Sequence, residues 1–298
     1  MEIEKQTAVA EKNKAQAAEA KAKAVLDKIY FYDGKFGLAY NKQSNQYGFI
    51  DKDLNIKIDF KYNEALPFDY TGFAKVKKGG VDYFIDTVAR EYKLATDINQ
   101  LDSTVLALDL HNKNLEQMPL AVFQQTQLQV LLLSSNQLTS LPVEIGKLGK
   151  LTSLDLTNNQ LTSLPAAIGQ LDKLTSLDLT NNQLTSLPAE IGKLDKLTEL
   201  KLYNNQLTSL PVEIGQLDKL TSLDLSENSL ISLPAEIGKL DKLSSLNLQS
   251  NQLTSLPAEI GKLEKLTKLY LSGNPISKAE GGKIKKLLPN CRIYFDDE

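Results

Sequence analysis

Cysteine, histidine and tryptophan are almost missing from this sequence of 298 residues, which has one cysteine, one histidine and no tryptophan. The single cysteine, Cys291, excludes a disulfide within the chain, as expected for a reducing compartment. Nucleophilic catalysis by a cysteine requires a histidine base close by, but the only histidine, His111, lies far from Cys291 in the sequence. We therefore predict no catalytic residues and interpret Cys291 as a small, partly buried apolar residue near the C-terminal end of the chain.

An excess of charge of one sign is also missing. Lysine and arginine number 34, aspartate and glutamate number 37, and the net charge is −3. Because both signs are spread evenly, the sequence predicts no nucleic acid partner. No stretch reaches the roughly 20 apolar residues that span a bilayer, and the charged N-terminus lacks the apolar core of a secretory signal. We expect no membrane partner and a cytoplasmic location, while the oligomeric state stays open.

Cofactor and metal motifs are missing as well. Residues Gly281-Gly282-Lys283 lack both the first glycine and the hydroxyl residue of a phosphate-binding loop. There is no H-E-x-x-H sequence and no pair of cysteines for zinc. Asp155 and Asp178 recur one repeat apart, but two carboxylates supply too few oxygen ligands for Ca²⁺. The sequence therefore predicts no cofactor and no metal.

Leucine, in contrast, recurs with a period of 23 residues through the C-terminal two-thirds of the chain. Each unit follows the pattern LxxLxLxxNxLxxLPxxIGxLxx, as in LTSLDLTNNQLTSLPAEIGKLDK at residues 174–196. Such a period indicates a solenoid, in which stacked units bury a continuous core and expose a long surface. Eight units over residues 105–288 begin at Val105, Leu128, Leu151, Leu174, Leu197, Leu220, Leu243 and Leu266.

Within each unit, the LxL segment alternates as a strand does, with its leucines directed into the core. The Pro of the LP pair fits the first position of a short helix, where no N–H group is needed, and the Ile-Gly pair completes the core and ends that turn. The asparagine after the strand is predicted to be buried and to bond backbone groups of its own and the neighbouring unit. These structural asparagines are Asn136, Asn159, Asn182, Asn205, Asn228, Asn251 and Asn274.

These units resemble the leucine-rich repeat family, in its 23-residue LxxLPxxIGxLxx class. The resemblance implies an α/β solenoid: a curved horseshoe with a parallel β-sheet on its concave face and short helical or irregular segments outside. It also implies recognition of a protein or peptide on the concave face. An extent of seven strand intervals at about 4.8 Å spans roughly 34 Å, enough to hold a folded domain or a peptide.

The two ends of the repeat region are predicted to be caps, because the inner faces of terminal units would otherwise be wet. Residues 95–104, with Asp97, Ile98 and Leu101, precede the first unit, and residues 289–298 follow the last. The first unit has Lys113 at the asparagine position, Met118 in place of a leucine, and Val122-Phe123 in place of Ile-Gly. In the last unit we expect a short helix with Ile284, Leu287 and Leu288 on one side, then a closing strand with Ile293 and Phe295.

Residues 31–94 are rich in tyrosine and phenylalanine, with turn signals such as Asp33-Gly34 and Gly79-Gly80, which predicts an antiparallel module of β-hairpins. The segment resembles the WG-repeat family in GLA at Gly37–Ala39, YGFID at Tyr47–Asp51 and GFAKVKK at Gly72–Lys78, with an imperfect second copy, YFID, at Tyr83–Asp86. It departs from that family in having no tryptophan: Tyr47 stands in the first such position, and Tyr83 has no following glycine.

Residues 1–30 are rich in alanine, lysine and glutamate and contain no glycine or proline. These are strong helix formers, so the segment is predicted to be a helix or linker. Two alternatives stay open. It is either a solvated helix or linker, or it is a packing helix or the tail of a longer coiled coil, with Ala15, Ala18, Ala22, Val25 and Ile29 at heptad a/d spacing.

Exposed strand positions on the concave face are mostly Ser, Thr, Asn and Asp, and the exceptions are candidates for partner binding. Tyr203, with charges around it near the middle of the arc, is the kind of group that anchors interfaces. A generic solvated surface is the alternative, since Lys201 between Asp178 and Asp224 also balances charge within the sheet. Val130 is expected to face outward beside Leu132. The candidate binding residues are Leu132, Asp155, Asp178, Glu199, Lys201, Tyr203, Asp224, Glu227, Lys268 and Tyr270.

Three hypotheses of function follow from the sequence. The first is a non-enzymatic protein-interaction scaffold that binds its partner on the concave face. The second is a sensor or regulatory arm of a larger signalling protein, with an effector domain upstream of Met1. The third is an enzyme whose site lies in residues 31–94, supported only by the density of Asp and Tyr in that segment, which strand-forming tyrosines explain equally well.

Overall fold

The computed structural model describes residues 26–32, 36–69 and 71–296. The chain divides into two compact units, Met1–Leu94 and Ala95–Glu298. Residues 1–25 of the predicted helix or linker, and the Asp33-Gly34 turn, lie outside the described residues. Residues 26–30 begin a strand instead, so the helix prediction is wrong there, because Ile29 and Tyr30 favour pairing with a neighbouring strand over a helix.

The first compact unit, Met1–Leu94, is antiparallel throughout the part that the structure describes. Strands β1–β4 form one sheet in sequence order, and β5–β8 pair successively with one another. Both sets of strands contribute to one core, in which Phe68 packs against Phe49 with ring centroids 4.9 Å apart. The strands are β1 (Leu26–Tyr32), β2 (Phe36–Asn41), β3 (Gln46–Ile50), β4 (Ile56–Tyr62), β5 (Glu64–Ala65), β6 (Ala74–Lys78), β7 (Val81–Ile85) and β8 (Glu91–Ala95).

The two FID sequences of this unit end in the same turn. The Asp51 carboxylate accepts backbone N–H bonds from the residues two and four positions later, and so does the Asp86 carboxylate. The residue three positions after each aspartate, Leu54 or Ala89, has a left-handed backbone with φ of 64° or 65°. The imperfect copy therefore repeats the geometry of the first, with the aspartate holding the turn together in both.

Asp86 is the more buried of the two aspartates, 9% exposed. Burial opposes its ionisation, but hydrogen bonds from Arg90, Tyr92 and the Val88 backbone outweigh it and lower the pKa of Asp86. The Arg90 Nε lies 2.6 Å from the Asp86 Oδ2 atom, and the Tyr92 hydroxyl donates to the same oxygen at 3.0 Å. Burial and the charge of Asp86 raise the pKa of Tyr92 to about 12, so this tyrosine stays a donor at neutral pH.

Replacing Asp86 with Asn should lower the free energy of unfolding by about 1–3 kcal/mol at neutral pH, because charged hydrogen bonds are lost. The folded-state pKa is depressed, so the stabilisation is complete above the unfolded pKa of about 3.9 and is lost as the pH falls through the folded value. Urea unfolding of wild type and variant from neutral to acid pH should show the difference shrinking below about pH 4. A difference that stays constant with pH would contradict this account; the exposed Asp53→Asn change is the control.

The second compact unit, Ala95–Glu298, is the repeat region, and it contains a sheet of nine parallel strands stacked in sequence order. Adjacent strands are in register one repeat apart, so that Leu177 lies opposite Leu154 and Leu200. The strands are β9 (Ala107–Asp109), β10 (Val130–Leu132), β11 (Ser153–Asp155), β12 (Ser176–Asp178), β13 (Glu199–Lys201), β14 (Ser222–Asp224), β15 (Ser245–Asn247), β16 (Lys268–Tyr270) and β17 (Arg292–Tyr294).

Short 3₁₀ helices lie opposite the sheet in the first seven units, and an α-helix replaces them in the eighth. The repeated leucines are buried between these two layers, as is the isoleucine of each 3₁₀ helix from the second repeat unit onward; Leu177, Leu179 and Ile191 are examples. The 3₁₀ helices span Leu120–Gln124, Val143–Lys147, Ala166–Gln170, Ala189–Lys193, Val212–Gln216, Ala235–Lys239 and Ala258–Lys262, and α1 spans Lys278–Leu287. The predicted α/β leucine-rich repeat solenoid is confirmed.

The Pro and Gly of each unit act differently from the sequence expectation. Pro188 lies just before the helix, with an extended backbone, and its carbonyl accepts the Ile191 N–H at 3.0 Å. Gly192 lies inside the helix rather than ending it. A Cβ atom there would come within 2.5 Å of the Glu213 carbonyl oxygen in the next unit. The glycine is therefore required by the close approach of successive units, whereas the proline sets the extended entry into the helix.

The repeated asparagine joins each unit to the one before it. The Asn182 side-chain amide donates to the carbonyl oxygens of Leu179 in its own unit and Leu156 in the preceding unit, at 3.0 and 2.9 Å. Its Oδ1 atom accepts the Leu161 N–H at 3.0 Å. Asn136, Asn159, Asn205, Asn228, Asn251 and Asn274 repeat this pattern.

Changing Asn205 to Ala should reduce the free energy of unfolding by roughly 1–3 kcal/mol, because it leaves two buried carbonyls and one N–H group without partners. The exposed neighbour Gln206, changed to Ala, is the matched control and should alter stability little. Urea denaturation followed by circular dichroism measures both. If the two variants were equally stable, the asparagine bonds would not hold the units together.

Both ends of the repeat region are covered by side chains that pack on its core. Before the first strand, Asp97 caps a 3₁₀ turn at Ile98–Gln100 and accepts the Asn99 N–H. Leu101 packs on the core, whereas Ile98 is 37% exposed. At the other end, Ile284 and Leu288 are buried, Ile293 and Phe295 are partly buried, and Leu287 is 37% exposed.

Candidate functional site

The exposure of the outward strand residues changes along the concave face of the repeat region. In units one to three the outward strand residues are buried, but from unit four onward they are half-buried or exposed. Leu132 is 5% and Asp155 is 4% exposed, and Val130 is fully buried. The expectation that Val130 and Leu132 face solvent is therefore wrong. The six buried outward residues of these three strands, adjacent in register, are Ala107, Asp109, Val130, Leu132, Ser153 and Asp155.

Burial also changes the electrostatics of this end. Burial, with a smaller contribution from Asp178 on the next strand, raises the pKa of Asp155, although the Thr157 and Ser134 groups bonded to it oppose the shift. The Asp155 side chain therefore loses part of its acidity and does not offer a free carboxylate at the surface. Of the predicted binding residues, those from Asp178 onward form the accessible set.

Lys201 lies at the centre of the accessible set, on β13. Its Nζ atom is 3.4 Å from Glu199 Oε1 and 3.6 Å from Asp178 Oδ2. Partial burial lowers the pKa of Lys201, but the two carboxylates outweigh it and raise the pKa above its usual value. The lysine is thus charged and held in place, and its charge is balanced inside the sheet. Recognition by long-range attraction is not the property of this cluster; it presents a fixed polar surface.

Tyr203 follows Lys201 at the end of the same strand and is half-buried. Interaction of its hydroxyl with the Glu227 carboxylate in the next unit, together with desolvation, raises the pKa of Tyr203. A shallow cavity of about 330 Å³ lies against this pair, lined by Tyr203, Ser226, Glu227, Gln249, Ser250, Ser272, Gly273 and Asp296. The structure therefore brings Tyr203 and Glu227 together, in a place where a partner side chain can enter.

The eighth residue of every unit has a left-handed backbone, which the sequence analysis did not identify. The φ values lie between 51° and 71° in all eight units. Asn, Ser and Gly occupy seven of these positions, and Glu227 the remaining one. Asparagine tolerates this conformation, whereas a longer side chain pays for it, by about 1–2 kcal/mol. The signal in the sequence was the Asn-Asn pair that recurs after the strand, as at 158–159, 181–182 and 204–205.

Two aromatic rings stack at the C-terminal end of the sheet. Tyr270 on β16 and Tyr294 on β17 have centroids 4.5 Å apart and an interplanar angle of 6°. The Arg292 guanidinium carbon lies 4.9 Å from the Tyr294 centroid, and Lys268 is exposed on the neighbouring strand. The sequence identified Tyr270 and Lys268 but missed Tyr294 and Arg292, because the cap strand does not follow the repeat pattern.

Among the described residues, the geometry adds no support for a catalytic or metal site. Burial raises the pKa of the Cys291 thiol, which makes it a poor nucleophile. His111 contacts Asp109, with 2.6 Å between Nδ1 and Oδ1, at the opposite end of the sheet. In the part of the chain that the structure describes, no group of three or more His, Cys, Asp or Glu residues is placed to hold a metal ion. Over the same residues, no helix is long and apolar enough to cross a membrane.

Comparison with protein families identifies the repeat. The family described as leucine-rich repeat region matches residues 103–223 and 197–287, which together cover more than half of the chain. The chain belongs to the leucine-rich repeat family. Residues 47–81 match the WG containing repeat, so the resemblance of the first unit is confirmed too. Leucine-rich repeat proteins are generally non-enzymatic protein-interaction modules.

Solved structures of leucine-rich repeat proteins are similar to this chain. A leucine-rich repeat protein of Leptospira interrogans is 42% identical, with a TM-score of 0.53 over 65% of this chain and 55% of that chain. Internalin C2 of Listeria monocytogenes is 25% identical, with a TM-score of 0.58 over 70% of this chain and 86% of that chain. This leucine-rich repeat chain thus spans about half the length of the Leptospira protein. No protein of curated function matches the sequence.

A plant neighbour was solved with a bound partner. The leucine-rich repeat ectodomain of the receptor kinase GASSHO1/SCHENGEN3 from Arabidopsis thaliana, in complex with CASPARIAN STRIP INTEGRITY FACTOR 2, is 36% identical. The TM-score is 0.51, and the match covers 63% of this chain and 27% of that chain.

Changing Glu227 to Asn should raise the free energy of unfolding by up to about 1 kcal/mol, because Asn accepts the left-handed backbone that Glu adopts at a cost. Urea unfolding measures the gain. Tyr203→Phe, which removes the tyrosine–glutamate bond alone, should change stability little. A clear loss of stability in Glu227→Asn would show that contacts of the Glu227 side chain outweigh its backbone strain.

Proposed function

We propose that this protein is a non-enzymatic scaffold that binds a protein or peptide partner on the concave face of units four to eight. The observation that carries the proposal is the departure of this surface from the repeat at Lys201, Tyr203 and Glu227, where Glu227 retains a costly backbone conformation. Strained residues persist where the surrounding structure fixes them, and they concentrate at functional sites. The plant neighbour in complex with a second protein supports binding as the activity of this fold.

The contacts around Tyr203 suit an anchor residue. Its hydroxyl interacts with the Glu227 carboxylate, and Lys201 beside it is paired with two carboxylates, so the lysine has little side-chain freedom to lose on binding. Tyrosine offers a large, rigid contact area and is enriched among residues that dominate binding energy. Asp178, Glu199, Asp224, Lys268 and Tyr270 surround this anchor or extend the surface toward the C-terminal cap, whereas Leu132 and Asp155 are buried.

The second hypothesis, a regulatory arm of a larger signalling protein, makes the same use of the concave face. It differs in what binding controls, and it rests on the composition of residues 1–30. A partner whose binding changes the activity of no linked effector domain favours the scaffold hypothesis. A cytoplasmic location stays a prediction under both hypotheses.

Changing both Lys201 and Tyr203 to Ala should weaken partner binding at least about tenfold, because the anchor and its neighbouring polar group are lost. The melting temperature should move by no more than a degree or two, since both side chains are only partly buried. A pull-down from lysate of the source organism identifies the partner, and titration with the purified partner measures affinity. The matched control changes Lys193 and Val212, which lie on the outer 3₁₀ helices, to Ala. Unchanged affinity in the concave variant would contradict the proposal.

A further inference from the structure

A second groove runs along the flank of the solenoid where the chain enters the strands. It is a shallow, elongated cavity of about 660 Å³ that crosses successive units. The second and last positions of the 23-residue unit form it, so that units three to six each add a threonine and a lysine, and unit two adds Gln129 and Lys150. Its lining residues are Gln129, Lys150, Thr152, Lys173, Thr175, Lys196, Thr198, Lys219, Thr221 and Lys242.

Threonine methyl groups form the floor of this groove. The Thr175 hydroxyl donates to the Thr152 carbonyl one unit earlier at 2.8 Å, and Thr198 and Thr221 repeat this bond at 2.9 and 3.0 Å. Because each hydroxyl donates its proton to the backbone, the methyl groups remain to line the surface. The floor is therefore regular, mainly apolar and low in side-chain bulk, which allows the backbone of a partner to come close.

Lysines form the wall of the groove, and no acidic residue lines it. Lys173 pairs with Asp172 at 3.0 Å, and Lys196 lies 3.9 Å from Asp195. Within the described ranges, no carboxylate oxygen lies within 4.0 Å of the Lys150, Lys219 or Lys242 ammonium, so these three are without an ion-pair partner. The groove thus presents five cations in a row, of which three make no ion pair within 4.0 Å among the described residues.

Lys219 and Lys242 occupy the same position in successive repeat units and both line the groove. The Lys219 ammonium contributes most to lowering the pKa of Lys242; burial and Lys265 act in the same direction, and the Asp241 carboxylate opposes the shift. Like charges at equivalent positions of neighbouring repeat units repel. A carboxylate placed between the two ammonium groups would remove this repulsion, which favours an acidic ligand at this point.

The spacing of the lysines fits a helix better than an extended chain. Adjacent strands are about 4.8 Å apart, and one turn of an α-helix rises 5.4 Å. Over four intervals the two repeats differ by only about 2.4 Å, which the flexible lysine side chains absorb. Side chains on one face of an extended strand recur at about 6.8 Å and lose register with the lysines after two units.

We propose that the lysine–threonine groove docks an acidic α-helix of a partner protein, with one carboxylate per turn against the lysine wall and small side chains against the threonine methyls. This interaction is separate from the proposed binding on the concave face. A nucleic acid backbone is the competing occupant, and displacement by single-stranded DNA distinguishes it from the helix.

Two fluorescent alanine-rich peptides of about 22 residues, or six turns, test the proposal with the full chain. One has a glutamate on the same face at each turn, and the other has the same composition with the glutamates distributed around the helix. The first should bind about tenfold more tightly in anisotropy titrations, and its affinity should fall as salt is raised. Equal affinities would overturn the helix proposal. Displacement of the first peptide by single-stranded DNA at a lower concentration than by unlabelled peptide would assign the groove to nucleic acid instead.

Variants place the binding on the groove. Lys219→Glu with Lys242→Glu should weaken binding of the first peptide about tenfold or more, and Lys219→Gln with Lys242→Gln should weaken it less. The Gln pair adds no new charge, so it keeps the test valid if the Glu pair folds poorly. Lys147→Glu with Lys193→Glu, on the outer 3₁₀ helices, is the matched control and should lose much less. An equal loss in this control would mean that only net charge matters and would overturn the proposal. The Lys201→Ala and Tyr203→Ala variant should bind the peptide normally, which separates this groove from the concave face.

Discussion

The repeat region depends on the hydrogen bonds of its buried asparagine amides. Each amide satisfies backbone groups of two successive units, as Asn182 does with Leu179 and Leu156. A unit that lost its neighbour would leave those groups buried and unpaired, at a cost of about 1–3 kcal/mol for each group. The bonds therefore fix the distance and the register between units. Every column of side chains along the solenoid follows from that register.

A fixed register has an electrostatic consequence, because a repeated charged residue meets its own copies about 4.8 Å away. The chain resolves this in two ways. On the concave face, Lys201 interrupts the aspartate column and pairs with Asp178. On the flank the lysine column is uninterrupted, and Lys219 and Lys242 stand side by side. The first arrangement is internally balanced, whereas the second leaves positive charge available for another molecule.

The parts of the structure that follow from local pattern were predictable from the sequence. Alternating leucines gave the strands, the period gave the stacking, and a polar residue at a fixed place among leucines had to be bonded internally. What escaped prediction depends on contacts between units. The role of Gly192 appears only when the Glu213 carbonyl is placed beside it. The burial of Leu132 and Asp155 likewise depends on surroundings that a strand pattern does not contain.

The helix prediction for residues 26–30 was wrong for a different reason. Residues 26–30 continue a helix-favouring composition, yet they pair with β2, and a partner strand outweighs intrinsic propensity. The candidate site was predictable only as a set of exceptions. Tyr203 and Lys201 differed in residue type from the other units at their positions. The left-handed backbone of Glu227 and the stacking of Tyr270 on Tyr294 became visible only in the structure.

Near-identical units make such exceptions more informative. Duplication copies every feature of a unit, so a column of Ser, Thr or Asn shows only that the surface tolerates those residues. A residue that departs from its column at an energetic cost must be retained for some compensating reason. Glu227 meets this condition, because seven of the eight left-handed positions have Asn, Ser or Gly. Its carboxylate also interacts with the hydroxyl of Tyr203, a half-buried aromatic side chain that follows strand β13. Cost and position coincide at this pair, and for that reason the concave face is interpreted as a binding surface rather than a duplicated scaffold.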